Sequence, residues 1–149
     1  FENKLYAFKA DGCGQANCAP LWTAQTTAPS NVLSPDSSPA VANGVVYVGS
    51  TDYYLYAFKA DGCGQPSCAP LWTAQTGSWV SSPAVANGVV YVGSDKLYAF
   101  KADGCGQPSC APLWTTQTGG GVFSPAVANG VVYVGVVYVG SDKLYAFHL

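Results

Sequence analysis

The sequence predicts an all-β protein assembled from repeated sheets of four antiparallel strands. Three observations lead to this fold class. One unit recurs along the 149-residue chain, the segments between turns are rich in Val, Tyr, Phe and Thr, and no long apolar period of 3.6 residues appears. Since β-branched and aromatic residues between Gly and Pro are typical of strands, helices are not expected.

The repeat is marked by the string Leu-Tyr-Ala-Phe, which begins at Leu5, Leu55, Leu97 and Leu144. Extra residues lengthen the first interval, and a duplicated Val-Val-Tyr-Val-Gly lengthens the last. The repeat divides a single domain, residues 1–149, into a partial unit 1–26, units at roughly 38–76 and 81–118, and a partial unit 123–149.

One unit predicts four strands, at 82–86, 89–93, 97–101 and 113–117. Asn87-Gly88 joins the first two, because both residues tolerate the positive φ of a tight hairpin turn. Over the whole chain this pattern gives about thirteen strands, which is three sheets plus one strand.

The second strand of a unit is apolar on both faces, as in Val45-Val46-Tyr47-Val48. In a sheet with one solvent-exposed face, apolar and polar residues would alternate along the strand, so this pattern favours a sheet packed between two neighbouring sheets. Stacked blades of a β-propeller provide that environment. A closed propeller normally needs about four to eight blades, so the ring is expected to be incomplete in one chain.

The unit Ser82-Pro-Ala-Val-Ala-Asn-Gly-Val-Val-Tyr-Val-Gly-Ser, followed by Leu97-Tyr-Ala-Phe and Leu113-Trp114, resembles the PQQ-like β-propeller repeat. The resemblance covers nearly the whole chain. It implies the blade, with a Trp packed between neighbouring blades, and it implies no particular activity. A quinoprotein dehydrogenase would add adjacent cysteines and a calcium-binding acidic set, whereas this chain has no Cys-Cys step and its only Glu is Glu2.

All six cysteines lie in the loop before the fourth strand, as two Cys separated by four residues in each of three units. Because the loop is the same in each unit, pairing within the unit is expected, and such bridges predict an extracellular or cell-surface protein. A metal site and a redox-active dithiol are the alternatives, but each loop lacks further ligands and the Cys-x-x-Cys spacing. The expected disulfides are Cys13–Cys18, Cys63–Cys68 and Cys105–Cys110.

No catalytic, cofactor-binding or metal-binding residue is predicted, and the protein is not expected to be an enzyme. The only His is His148, and the Lys and Asp of the loop recur in every unit, whereas a propeller active site needs unlike residues from different blades. The chain has no Arg and carries a net charge of −2, which disfavours nucleic acid as a partner. No apolar stretch reaches the roughly 20 residues of a membrane-spanning helix.

The sequence therefore predicts a non-catalytic scaffold that associates with itself through open sheet edges, because such edges invite pairing with another chain. The incomplete ring has three explanations. Two copies complete a ring of six or seven blades, many copies form an open head-to-tail filament, or the chain is a piece cut from a larger propeller such as a PQQ-dependent dehydrogenase.

A second hypothesis is a propeller that binds glycans or proteins at one rim, with Trp79 and the insertion 27–36 as contacts. Trp79 is singled out because no other unit has an aromatic residue there. The duplicated segment 131–140 carries a further expectation: since five is an odd number, a β-bulge at Gly135 is predicted to restore the alternation of faces.

Overall fold

The structure is a computed structural model that describes residues 4–26, 37–138 and 141–148. Within these ranges it contains fourteen strands and no helix. The strands are β1 Lys4–Ala7, β2 Trp22–Gln25, β3 Ala40–Ala42, β4 Val45–Gly49, β5 Tyr54–Lys59, β6 Trp72–Gln75, β7 Ala84–Ala86, β8 Val89–Gly93, β9 Leu97–Lys101, β10 Trp114–Thr116, β11 Gly121–Val122, β12 Ala126–Ala128, β13 Val131–Tyr138 and β14 Ser141–His148.

These strands form four antiparallel sheets, which we call blades A to D. Blade A holds β1 and β2, blade B runs β3-β4-β5-β6, and blade C runs β7-β8-β9-β10. In blade D, β13 pairs with β12, β14 and the short β11. The predicted sheets of four strands are confirmed, and the described chain does not close a ring. The prediction of thirteen strands is one short, because β11 was missed.

The hairpin turns between the first two strands of a blade follow the chemistry of Asn-Gly. Asn87 has φ 51° and Gly88 has φ 75°, so both central residues are left-handed. This is the geometry that matches the twist of two flanking strands and that most side chains avoid. The turns at Asn43 and Asn129 have the same geometry, with φ 49° and 50°.

The core lies between blades and not within any one of them. Along β9, Tyr98 and Phe100 belong to a cluster with Trp72 of blade B, whereas Leu97 and Ala99 belong to a cluster with blade D. All four of these β9 residues are buried. Successive side chains of a strand thus enter two different cores, which is why the central strands are apolar on both faces.

The loop that enters each blade passes directly over a glycine at the end of a second strand. A Cβ on Gly93 would collide with the carbonyl oxygen of Val122, and one on Gly49 would lie 2.5 Å from that of Val80. Val122 N–H also donates to Ser94 at 2.8 Å. Gly49 and Gly93, which close the Val-Val-Tyr-Val-Gly strands of blades B and C, therefore admit the backbone of the following loop.

The prediction of a bulge at Gly135 is wrong. β13 and β14 pair without interruption from Val131 with His148 to Tyr138 with Ser141, and Gly135 faces Leu144 just as Gly93 faces Leu97. Three residues connect Gly93 to Leu97, and the five inserted residues lengthen the equivalent connection in blade D to eight residues. Because eight is even, these residues form three further pairs and a two-residue tip, and the register of the original pairs is kept.

The lengthened β13 also explains the strand that was missed. Its second half gives Gly121 and Val122 a partner, through the pairs Gly121 with Val137 and Val122 with Val136. In blade C the second strand ends at Gly93, so the equivalent residues Trp79 and Val80 have no such extension beside them.

Replacing Gly93 with Ala should lower the free energy of unfolding by more than about 2 kcal/mol, because the new methyl group meets the backbone of Val122. Gly135→Ala is the matched control: it changes the same residue of the same motif, and nothing lies within 4 Å of the added Cβ. Urea denaturation of both variants measures the difference. Equal losses of stability would contradict the close approach at Gly93.

Candidate functional site

The three disulfides expected from the sequence are present. Cys13–Cys18, Cys63–Cys68 and Cys105–Cys110 each join Cα atoms 5.7 Å apart. Each bridge closes the loop between the third and fourth strands of blade A, B or C. The backbone N–H of Cys63 donates to the sulfur of Cys68 at 3.0 Å, so the bridge also organises the loop from inside.

The disulfide loops of blades B and C each bind the outer strand of the preceding blade through their backbone. Thr23 of blade A donates its N–H to Pro66 O at 2.9 Å and accepts from Cys68 N–H at 2.8 Å. Thr73 of blade B makes the same pair of bonds with the loop of blade C, at Pro108 and Cys110. Sequence reasoning assigned the loop only a local role, because a contact between blades leaves no mark in the spacing of its cysteines.

A tryptophan completes this interface by packing on a glycine of the loop. A Cβ on Gly62 would lie 2.6 Å from the ring of Trp22, and one on Gly104 would lie 2.7 Å from the ring of Trp72. The Trp22 indole N–H donates to Ala60 O at 3.1 Å. The two rings are 5% and 4% exposed, which confirms the expectation that this Trp packs between blades.

The third copy of the interface is not completed within the described chain. Trp114 is 36% exposed, since no disulfide loop follows it in the described residues. We call Trp114–Thr116 the trailing edge. At the other end, Phe8 is 55% exposed, whereas its counterparts Phe58 and Phe100 are fully buried.

Phe8 belongs to the surface that a preceding blade would cover. We call this surface the leading face, and define it as Phe8, Gly12 and the Cys13–Cys18 loop. Cys18 is partly exposed there, whereas Cys68 and Cys110 are each 7% exposed. The chain thus presents both halves of one interface on two different surfaces.

A polar network ties the other end of blade C to the preceding loop. Tyr98 donates its hydroxyl proton to Asp95 at 2.8 Å, and both side chains accept from Gly77 N–H. Burial and the Asp95 carboxylate raise the pKa of Tyr98 to about 12. Between blades B and C, the Tyr47 hydroxyl donates to Ala102 O at 2.8 Å. Burial, and to a smaller extent the negative charge of Asp103, raises the pKa of Tyr47.

The repeated Lys and Asp of the loop form exposed ion pairs, with Lys9 to Asp11 at 3.2 Å and Lys101 to Asp103 at 3.3 Å. Such exposed pairs contribute little to stability. Among the described residues there is no group of three or more metal-ligating side chains. The side chain of His148 lies outside the described part of the structure.

Trp79 lines a groove of about 400 Å³ on one rim, between the loops that enter blades C and D. Its ring is 53% exposed, and Phe123 from the next loop is 56% exposed. Gly121 takes the place of Trp79 in that next loop, which leaves the groove open. Serines complete the lining (Ser37, Ser78, Ser81, Ser82, Ser94 and Ser124). The other predicted contact, the insertion 27–36, lies outside the described residues.

Stacked four-stranded blades with their core between the sheets define a propeller-like β fold whose ring is open in the described chain. Within that part of the chain, no helix has the length and hydrophobicity that a membrane span requires. No family model matches the sequence, and no curated protein gives a significant match.

Several solved structures are similar to this chain. The chain is similar to BamB from Moraxella catarrhalis, with 20% identity and a TM-score of 0.62 over 99% of this chain and 40% of that one. The computationally designed Ika4 is also similar (12% identity, TM-score 0.58, 74% of this chain and 64% of that one), as is designed Ika8 (14%, 0.51, 72% and 31%).

The chain spans less than two thirds of each of these three chains. At such low identity the likenesses show the fold alone. The predicted propeller-like fold is confirmed, and membership of the PQQ-like repeat family stays a prediction.

Replacing Gly62 with Ala should separate blades A and B, since the methyl group would meet the buried Trp22 ring. Gly64→Ala is the matched control, because Gly64 has nearly the same φ (75° against 78°) and nothing within 4 Å of its Cβ. Both variants carry the strain of a left-handed alanine, about 1 kcal/mol. We expect Gly62→Ala to lose at least about 1 kcal/mol more in urea denaturation; equal losses would show that the Trp22 contact is unimportant.

Proposed function

We propose that the protein is a non-catalytic, extracellular scaffold of propeller blades that associates with itself through its two uncovered surfaces. The observation that carries this proposal is the interface between loop and tryptophan: it is completed twice within the chain, and its third copy is left as a trailing edge and a leading face. The exposure of Trp114, 36% against 4% for Trp72, measures what association would cover.

The two surfaces suit each other chemically. The trailing edge Trp-Thr-Thr differs from the buried Trp-Thr-Ala of β2 and β6 in one residue. The leading loop keeps Asp-Gly-Cys-Gly-Gln and the second Cys of the buried loops, and differs at Ala16 and Asn17. At these two positions the buried loops use backbone atoms in the contact, so the differences leave the bonding pattern available.

The non-catalytic assignment rests on the uniformity of the units. The Lys and Asp side chains of the disulfide loop recur at equivalent positions, where they make turns or exposed ion pairs. The extracellular assignment rests on the disulfides, because bridges of this density persist in oxidising compartments.

Self-association predicts that the purified chain sediments as more than one copy and that Trp114→Ala returns it to a monomer. The substitution removes a large apolar contact from the shared surface while leaving the buried Trp22 and Trp72 in place. Leu113→Ala is the matched control, since Leu113 is the neighbouring residue and is 54% exposed. Sedimentation velocity over a range of concentrations measures the mass. A wild-type chain that stays monomeric throughout would contradict the proposal.

A second candidate function is ligand binding in the rim groove, and the pairing of Trp79 with Phe123 across one opening favours it. Aromatic walls beside serine hydroxyls suit a ligand with both apolar faces and hydroxyl groups, such as a sugar ring.

The groove predicts that oligosaccharides change the intrinsic fluorescence of the chain at millimolar concentration or below. Trp79→Ala should remove the response, because it deletes one wall of the groove. Leu71→Ala, which alters a side chain that is 51% exposed outside the groove, should keep it. A glycan array that is silent with the wild-type chain would exclude this second candidate.

A further inference from the structure

We propose that two copies of this 149-residue chain close one six-bladed ring, in which β1 and β2 of each copy complete blade D of the other. The inference rests on the proposed self-association and specifies its partner, its geometry and the strand that it displaces. It follows from which strands of a blade the chain supplies at each of its two uncovered surfaces.

Blade D holds the first three strands of a blade, as β12, β13 and β14, and blade A holds the last two, as β1 and β2. A blade shared between two copies would therefore have two candidates for its third strand, β14 of one copy and β1 of the other. Both versions carry the same five residues, Lys-Leu-Tyr-Ala-Phe, at 4–8 and at 143–147. The strand β1 of a second copy can thus replace β14 on β13 with the same side chains in the same register.

The replacement keeps five of the eight pairs that β14 makes with β13, those of residues 143–147. Val132 now faces Phe147, and Gly135 faces Leu144. With β1 of a second copy in place, Val132 would face Phe8 and Gly135 would face Leu5. Since these five residues are identical in the two strands, the exchange keeps their pairs. The balance is then decided by what β1 brings, set against the pairs that Ser141, Asp142 and His148 make in β14.

What β1 brings is the disulfide loop and the fourth strand, which β14 lacks. The Cys13–Cys18 loop would reach the trailing edge, where Thr115 would donate to the carbonyl of Ala16 and accept from Cys18 N–H. These are the bonds that Thr73 makes with Pro108 and Cys110. Gly12 would lie against the Trp114 ring as Gly62 lies against Trp22. Continuity with an interface already built twice in the chain favours a second copy as the occupant.

The count of blades favours closure with two copies. Each copy supplies blades B and C whole, the inner half of one shared blade and the outer half of another, which amounts to three blades. Two copies give six blades, within the range of about four to eight in which propellers close. The junction joins unlike surfaces, and a contact of that kind gives a ring when its rotation closes.

Gly12→Ala tests the junction, and Gly14→Ala is its matched control. Both glycines have φ 76°, and in the single chain neither Cβ would meet an atom within 4 Å, so the two variants carry the same strain. In the ring, only the methyl group on residue 12 meets the partner's Trp114.

We expect the wild-type chain and Gly14→Ala to sediment at twice the monomer mass, and Gly12→Ala to weaken association at least about tenfold. Equal association of the two variants would overturn the proposed junction. Growth beyond two copies with rising concentration would overturn the closed ring.

Hydrogen exchange tests the displaced strand. At a concentration at which the Gly12→Ala variant sediments as a monomer, β14 stays paired with β13, so the amides of 141–148 should be protected. In the wild-type ring β14 is released, and the same amides should exchange at least about tenfold faster. A dimer in which 141–148 stays protected would overturn the exchange of strands while leaving self-association intact. A wild-type chain that never associates would instead contradict the proposed function itself.

Discussion

The contact between a tryptophan on the outer strand of one blade and a glycine in the disulfide loop of the next is the constraint on which the structure depends. The indole rings of Trp22 and Trp72 can contact the loop this closely only because Gly62 and Gly104 have no Cβ. The backbone bonds of Thr23 and Thr73 lie beside this contact. The disulfide holds the loop in the shape that this contact requires. A bridge that looks local in the sequence therefore shapes the joint between blades.

An array held together in this way has unlike ends. Blades A, B and C each contribute a tryptophan edge in one direction and a loop face in the other. In the described chain, the edge at Trp114 and the face at Phe8 stay uncovered, and these two surfaces are unlike. The proposed self-association would therefore join unlike surfaces, which makes it a head-to-tail contact.

The duplicated Val-Val-Tyr-Val-Gly shows how a hairpin absorbs an insertion. An odd insertion was expected to reverse the faces unless a bulge at Gly135 corrected it. That expectation treated the strand as continuing in one direction, whereas here the inserted residues lie beside a turn. Five residues added to a three-residue connection give an even number, so the hairpin grows at its tip and the pairing from Val131 to Gly135 is unchanged. The insertion also created the partner for β11.

The sequence by itself determined thirteen of the fourteen described strands, the Asn-Gly turns and the three disulfides, because these follow from local periodicity, turn chemistry and a repeat that makes each unit alike. It also singled out Trp79, since a residue that breaks a repeat is visible without coordinates. Only the tertiary structure showed that Phe123 faces the same groove, and that the disulfide loop binds the neighbouring blade. Both are contacts between segments of different blades, and such contacts depend on how the sheets stack. Equivalent tryptophans look alike in the sequence, and stacking alone decides that Trp22 and Trp72 are buried while Trp114 is left exposed.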